Sequence, residues 1–445
     1  MKRLFASRKL SYLIFGIAFS LVVIGIYPGS GGEGAQRELT GLNTKRDWWN
    51  FATAALYGFW PDKFFPWTFT LALVQLIIYS LGIFLISKNL RSGKNKGIFW
   101  LIALIGGFFV FQLWRDATLF AIQCLSVGLI AGVRNLSERK VWFIISLASF
   151  LNVVGSLFKP IFAPISAIIL FLILLNKTND RKIKRLLAVG AILIAVIPYF
   201  ADKEFSQKFH LVKSYPEQQV MIYDLSKLYC WGYSPDLISQ SKKALAPLLT
   251  NPDNFEPVCA SLSPTGWDSL HVRIPEVKGS PALVPLSQDQ SLEFQELKDN
   301  WGKAIFSSPT DWFMTKASDA TQVTLMANSF YMPDLFSKSA SNLVLNAGDW
   351  LLKVLLFPIV ALDKIRFFSL GFTLFIGLVL IYLNRARGEF SKQKEKIYFG
   401  FLATNLLTLS FAALAFIANN GRYVLPYMLL SYFYLFISLD KNKTN

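Results

Sequence analysis

Long apolar stretches separated by short polar loops make up most of the chain. A bilayer-spanning helix needs about 20 apolar residues, and stretches of about that length recur along the sequence. They lie near residues 10–27, 67–87, 97–114, 117–133, 141–158, 160–176, 186–200, 366–384, 397–418 and 422–439. The pattern predicts an all-α polytopic membrane protein with about ten transmembrane helices. The first stretch resembles a signal peptide, but no clean small-residue cleavage site follows it, and we predict a retained helix.

The spacing of these stretches divides the chain into three regions. Residues 1–200 hold about seven predicted helices and an acidic first loop, and residues 366–445 hold about three. Residues 201–365 between them are more polar and rich in proline, with helix-like pieces at Ser291–Phe306 and Asp311–Ser329. Near the end of this region, Asp349–Lys364 is amphipathic and contains a proline, so we expect it to lie at the membrane surface.

Composition and charge agree with a membrane protein and set its orientation. The chain is 53% hydrophobic and 16% charged, against roughly 25% charged residues in soluble domains. The net charge of +17 is not a nucleic-acid signature, because Lys and Arg cluster in alternate short loops. That asymmetry predicts cytoplasmic loops and termini, and it places the first loop and residues 201–365 outside.

Cysteine and histidine usage limits the chemistry. The sequence contains no zinc-ligand spacing, P-loop or GxGxxG motif, and only two histidines. Cys124 falls inside an apolar stretch and is expected to serve packing. Cys230 and Cys259 lie in the predicted outer region, where either a disulfide or two free thiols is compatible with the sequence.

The loop Tyr27–Trp49 carries the densest set of groups suited to catalysis. Its candidates are Glu33, Gln36 and Asp47, and its glycines allow close approach of another group. The same predicted side of the membrane holds further candidates for substrate binding: Arg115, Asp116, Lys159, Asp224, Arg422 and Tyr423. Simpler roles stay open for all of them. On this simpler interpretation, the loop is only a connector and Arg422 and Tyr423 form an interfacial anchor. Arg115 and Asp116 form a local ion pair or a helix cap, and Asp224 caps a helix.

Five short motifs occur in order along the whole chain. They are Pro28-Gly29 with Glu33, Gln36, Gly41 and Asp47-Trp48; LWRDATLF at 113–120; IYDLSKL at 222–228; WGKAIFSSPTDWFMTKA at 301–317; and GRYVLP at 421–426. Together with the predicted topology they resemble the bacterial GT-C glycosyltransferases, which take a sugar from a polyprenyl-phosphate carrier. The sequence departs from the family pattern at Trp49-Asn50, where relatives often have His-Pro, and at Glu33, where the family has Asp.

The resemblance implies an enzyme of the bacterial cytoplasmic membrane that works on its outer face. Asp47 or Glu33 would be the base that deprotonates the acceptor hydroxyl. Arg422 would be the preferred phosphate partner, since guanidinium binds phosphate through two hydrogen bonds, followed by Arg115 and Lys159. The partners implied are a polyprenyl-phosphate-linked sugar, a glycan or glycolipid acceptor and membrane lipid, with no nucleic acid.

Cofactor use and function class leave alternatives open. No metal site is predicted, although a divalent cation such as Mg²⁺ or Mn²⁺ would find oxygen ligands of the right type in Glu33, Asp47 and Asp116. A polymerase, ligase or flippase of the O-antigen type would depend on basic residues along a lipid groove instead of one carboxylate. A transporter would require polar residues near the middle of the spans, where this sequence has few, such as Gln75, Asn152 and Asn405.

Overall fold

The protein is all-helical over the part that the structure describes. A computed structural model describes residues 67–90, 96–110, 115–133, 139–208, 217–232, 234–249, 254–262, 283–284, 286, 290–325, 369–386, 391–415 and 424–440. No β-strand occurs in these ranges, and the nearest approach to one is an isolated bridge between Leu249 and Leu283.

The first six helices of the described residues follow the predicted apolar stretches closely. They are α1 (Trp67–Asn89), α2 (Lys96–Val110), α3 (Arg115–Ala131), α4 (Arg139–Leu157), α5 (Ala163–Leu175) and α6 (Arg181–Lys208). Pro160 ends α4, because the residue before a proline is driven out of the helical conformation. A short 3-10 turn, Pro160–Phe162, then leads into α5. The stretch predicted at 10–27 lies outside the described residues.

The described residues contain five further helices in the middle region and three near the C-terminal end. The middle helices are α7 (Gln218–Trp231), α8 (Pro235–Leu245), α9 (Glu256–Ser261), α10 (Ser291–Ser307) and α11 (Pro309–Leu325). The last three are α12 (Leu370–Ala386), α13 (Lys392–Ala415) and α14 (Leu425–Asp440). The helix-like pieces predicted at 291–306 and 311–329 correspond to α10 and α11, while the amphipathic stretch 349–364 lies outside the described residues.

Three helices are long and apolar enough to cross a membrane. They contain the stretches Lys140–Leu157, Arg181–Phe205 and Lys392–Ala413, within α4, α6 and α13. Some other apolar helices are shorter: α2 has 15 residues, which at 1.5 Å per residue is about 23 Å, against a hydrocarbon core of about 30 Å. The part of the protein that the structure describes is therefore helical and contains three candidate transmembrane helices.

Helix α6 displays a face that suits lipid and not water. Nine of its large hydrophobic side chains are exposed: Leu186, Val189, Ile192, Leu193, Val196, Ile197, Tyr199, Phe200 and Phe205. A contiguous apolar surface of this kind marks contact with lipid or with another protein. On a helix that is long enough to span the hydrocarbon core, lipid is the simplest partner.

Helices α1 and α3 cross with their backbones in contact at two glycines. A Cβ atom added to Gly82 would lie 2.6 Å from the carbonyl carbon of Cys124, and one added to Gly128 would lie 2.6 Å from the carbonyl oxygen of Gly82. Small residues at such crossings allow close packing of helices in membranes. Cys124 itself is fully buried, as its predicted packing role requires.

The middle helices have a hydrophobic core of their own. Residues such as Ile222, Leu225 and Val258 are fully buried in it. Cys230 at the end of α7 forms a disulfide with Cys259 in α9, with their Cα atoms 5.5 Å apart, so the disulfide alternative is correct. Helix α11 packs against α7 of this core and also against α12 and α13, and it thereby joins the middle region to the C-terminal helices.

We predict that methyl groups at the crossing of α1 and α3 destabilise the protein. Gly82→Ala and Gly128→Ala should each cost about 1–3 kcal/mol of folding free energy, because backbone atoms cannot move away as a flexible side chain can. The measurement is the thermal-unfolding midpoint of the detergent-purified protein. Gly190→Ala in α6, where an added Cβ meets nothing within 4 Å, is the control, and equal midpoints for all three variants would contradict the close crossing.

Candidate functional site

The structure describes the side chains of three of the predicted site residues. Asp116, Lys159 and Asp224 are placed, while Glu33, Gln36, Asp47, Arg422 and Tyr423 lie outside the described residues. Arg115 begins α3, but only its backbone is described. The proposed catalytic pair and the preferred phosphate partner therefore stay predictions. The three placed residues fall into two separate groups of buried charges.

Asp116 and Lys159 form a buried ion pair. Lys159 Nζ lies 2.8 Å from Asp116 Oδ1, and the two residues are only 7% and 4% exposed. Asp116 is in the first turn of α3, where a negative charge is favoured by the helix dipole. Lys159 has an extended backbone, with φ −158° and ψ 80°, as expected of a residue before proline. Asp116 thus has a long-range partner in Lys159, while a local pair with Arg115 stays an open alternative because the side chain of Arg115 is not described.

An aromatic stack connects this ion pair to the last helix. Lys159 Nζ lies 5.1 Å from the ring centroid of Phe162, within cation–π range. Phe162 in turn stacks on Tyr427 of α14, with ring centroids 4.3 Å apart and 24° between the planes. The start of α3, the junction of α4 and α5, and the start of α14 therefore meet at one place. In the sequence, Arg422 precedes Tyr427 by five residues.

Tyr427 belongs to this site although the sequence did not single it out. It is 1% exposed, and its hydroxyl has no hydrogen-bond partner in the described part of the chain. A buried hydroxyl without a partner is unusual and suggests a function or an unseen partner. The available signal was the motif GRYVLPY, in which Tyr427 lies one turn after the start of a predicted helix.

Asp224 belongs to the second group, a cluster of four buried charges. Two of them lie on α7 and two on α11: Asp224, Lys227, Lys316 and Asp319. Lys316 Nζ lies 2.7 Å from Asp224 Oδ1 and forms an ion pair with it, although the angles are not those of a hydrogen bond. In the second pair, Lys227 donates a hydrogen bond to Asp319 Oδ1. All four side chains are at most 3% exposed. We call this group the ion cluster.

Aromatic residues surround the ion cluster and contact its charged groups. The indole nitrogens of Trp301 and Trp312 donate to Asp224 Oδ2 at 3.2 and 3.1 Å. Lys227 Nζ lies 4.0 Å from the ring centroid of Tyr223. Asp224 lies well inside α7 and not at its end, so the alternative that it caps this helix is wrong. Its carboxylate faces three donors of the protein, and its role in substrate binding stays a prediction.

Burial opposes the charged state of the second pair in the ion cluster. It raises the pKa of the Asp319 carboxyl, while the nearby Lys227 acts in the opposite direction. It lowers the pKa of the Lys227 ammonium, and Asp319 partly offsets this shift. Each residue thus offsets part of the effect of burial on the other, in surroundings that favour neutral forms.

The spacing of the charges shows how α7 and α11 are aligned. Asp224 and Lys227 are three residues apart on α7, and Lys316 and Asp319 are three apart on α11, so each pair faces one side of its helix. Each ion pair joins residues 92 positions apart in sequence, as for Lys227 and Asp319. A constant separation means that the two helices run in the same direction where they touch.

No other cluster of ligands suggests a metal centre in the part of the chain that is described. No three His, Cys, Asp or Glu residues lie there close enough to share an ion. Of the oxygen ligands considered above, only Asp116 is described, and its carboxylate faces Lys159.

Comparison with known proteins gives no relative for this chain. No protein-family model, no curated protein and no solved structure matches it. Its function has to be argued from the residues and their arrangement.

The ion cluster gives a pH-dependent prediction. Lys227→Met should cost about 3–5 kcal/mol near neutral pH, because Asp319 is left as an uncompensated buried charge. Without the lysine, the pKa of Asp319 rises further above its unfolded value. The stability gained by protonating it is then complete at low pH and is lost as the pH rises through the folded-state pKa. The destabilisation should therefore shrink between about pH 8 and pH 5, as measured by thermal unfolding.

The destabilisation caused by Asp319→Asn should depend on pH in the opposite direction. The substitution leaves Lys227 without its counterion, so the pKa of that lysine falls further and the cost should shrink as the pH rises. Lys303→Met, which removes an exposed lysine from α10, is the control and should change little. Identical pH dependence of the two variants would rule out the pairing.

Proposed function

We propose that this chain is an integral-membrane glycosyltransferase. It would transfer a sugar from a polyprenyl-phosphate donor to a cell-envelope glycan or glycolipid on the outer face of a bacterial cytoplasmic membrane. The observation that carries the proposal is the meeting of α3, the α4–α5 junction and α14 around Asp116, Lys159 and Tyr427. Three motifs that lie far apart in the sequence contribute residues to this meeting point, and two of them are part of the family resemblance.

The proposed topology has about ten transmembrane helices and two cytoplasmic termini. Residues 201–365 are then outside, between an N-terminal membrane domain and the C-terminal helices. The Cys230–Cys259 disulfide supports this placement, because disulfides persist in oxidising compartments and are rare in the cytosol. The clusters of Lys and Arg in alternate loops support it independently.

The proposed reaction is displacement at the anomeric carbon of the donor sugar. Asp47 or Glu33 takes the proton of the acceptor hydroxyl, whose oxygen attacks the anomeric carbon. The bond from that carbon to the phosphate oxygen breaks, and the polyprenyl phosphate leaves with the electron pair. Charge that develops on the leaving oxygen needs a fixed cation nearby, so the base and the cations have separate tasks.

The cationic residues are assigned to the phosphate. Arg422 would bind it through two hydrogen bonds, assisted by Arg115 and Lys159. Asp116 holds Lys159 in place, at 2.8 Å, and lies beside the stack that leads to α14. Tyr423, Gln36 and Asp224 complete the proposed substrate contacts.

One observation favours a transporter as the second candidate. Gln123 in α3 is fully buried, and neither atom of its amide has a hydrogen-bond partner in the described residues. A polar solute or water passing through the bundle could form hydrogen bonds with this amide. Two other buried amides have helix-to-helix bonds: Gln75 donates to Thr118, and Asn405 to Ser431. Such bonds are ordinary links between membrane helices, so we retain the transferase as the main proposal.

The first test addresses the two carboxylates. Asp47→Asn or Glu33→Gln should abolish one surface-glycan modification in a deletion strain complemented with the variant, because the amide cannot accept the hydroxyl proton. Glu38→Gln, in the same loop, is the matched control and should behave like the parent. Membrane levels are compared by immunoblot. Full complementation by both site variants would refute a carboxylate-dependent transferase and favour the transporter or a flippase.

The second test separates phosphate binding from structural pairing. Lys159→Met alone leaves Asp116 buried without a partner and should lower the folded yield. The double variant Lys159→Met/Asp116→Leu removes both charges and should restore the yield. If Lys159 binds the phosphate, glycan transfer should stay roughly 10–100-fold lower in the double variant, as expected for one charged hydrogen bond.

A purely structural pair gives a different result, namely recovery of both yield and transfer in the double variant. Arg385→Met is the control, because Arg385 is exposed on α12 and pairs only at the surface with Glu395. Its loss should leave yield and transfer unchanged, since exposed pairs contribute little to stability.

A further inference from the structure

Helix α11 has an exposed face without a single charge. Phe313 and Met314 are 65% and 58% exposed. The other exposed side chains described on this helix are all neutral as well: Pro309, Thr310, Ser318 and Thr321. Two adjacent large apolar side chains on such a face are costly to leave in water.

The preceding helix is very different, although only Ser308 separates the two. The exposed surface of α10 carries five charged residues: Glu293, Glu296, Lys298, Asp299 and Lys303. This is the composition of a helix surface in water. The change from a charged to an uncharged surface therefore occurs at the turn between α10 and α11. Phe306, 86% exposed, lies at the end of α10 that is next to this turn.

Two of the three charges on α11 are turned inward and neutralised. Lys316 and Asp319 are buried and paired with the carboxylate and ammonium of α7. The ion cluster has two acidic and two basic residues, so its formal charge sums to zero. Asp311, in the first turn, is partly buried. Removing Phe313 and Met314 from water would therefore not desolvate Lys316 or Asp319, because these two charges are already buried and paired.

The neighbours of α11 indicate what covers its apolar face. On one side it packs against α7 and the core of the middle region, and on another against α12 and α13. Helix α13 contains the candidate membrane span Lys392–Ala413. Helix α12 also exposes large apolar side chains, Phe375, Leu378 and Tyr382. Helix α11 is thus in contact with a candidate membrane span and with a second helix that exposes apolar side chains.

We propose that α11 lies partly within the lipid bilayer, with Phe313 and Met314 in contact with the hydrocarbon chains and α10 in water. The partner of this face is lipid, as for amphipathic helices at a membrane surface. Phe306 would enter the lipid at the turn. The proposal goes beyond the glycosyltransferase and does not depend on it, because it needs only a bilayer around α13.

The test places spin labels on the two helices. Phe313→Cys and Met314→Cys are each labelled with a nitroxide, and the protein is reconstituted into vesicles of phosphatidylethanolamine and phosphatidylglycerol. Lys298→Cys and Lys303→Cys on α10 are the matched controls. The native cysteines do not interfere, since Cys124 is buried and the other two form the disulfide, and the parent protein measures any background labelling.

The readout is the collision rate of each nitroxide with oxygen, which concentrates in lipid, and with a water-soluble nickel chelate. We expect the ratio of oxygen to nickel accessibility to be severalfold higher at 313 and 314 than at 298 and 303. A nickel accessibility at 313 and 314 equal to that of the controls would overturn the proposal, since the face would then be in water. Low accessibility to both reagents would also overturn it and would indicate a protein partner, such as a second copy of the chain.

Discussion

Pairing of buried charges is the constraint on which the rest of this structure depends. Every charged side chain that is buried in the described residues has an oppositely charged partner. The pairs are Asp116 with Lys159, Asp224 with Lys316, and Lys227 with Asp319. An unpaired charge in such surroundings is far more costly than a paired one. Each pair therefore fixes the relative position of two segments: the start of α3 and the end of α4 in one case, α7 and α11 in the others.

The positions of the helices could be predicted from the sequence because the signal is local. Apolar stretches, a proline after Lys159 and clusters of Lys and Arg each act within one or two turns, and the helices from α1 to α6 lie close to the predicted stretches. The Cys124 packing role followed from the same pattern. Helix length is a finer property, since it depends on where neighbouring loops begin. Among the described residues, α4, α6 and α13 contain the candidate membrane spans.

The contacts of the site could not be predicted, because they join residues far apart in the chain. Asp224 was identified as polar and important, but its partner Lys316 is 92 positions away, and no local rule selects that lysine. Complementary spacing offered a weak hint: an acid and a lysine three residues apart occur on α7 and again on α11. Tyr427 was missed for the same reason, since its burial against Phe162 arises only when α14 packs beside the α4–α5 junction.

The ion cluster and the apolar face of α11 follow from one orientation of that helix. Lys316 and Asp319 occupy one side, while Phe313 and Met314 occupy another, and a rotation of α11 by one residue, about 100°, would displace both sets together. Such a rotation would break two buried ion pairs and turn charges toward the side where Phe313 and Met314 now lie. Charge pairing with α7 thus determines which side of α11 remains apolar. The same pairing makes α11 a rigid connection between the middle region and α12 and α13, so the middle region is held in a defined position beside the C-terminal helices.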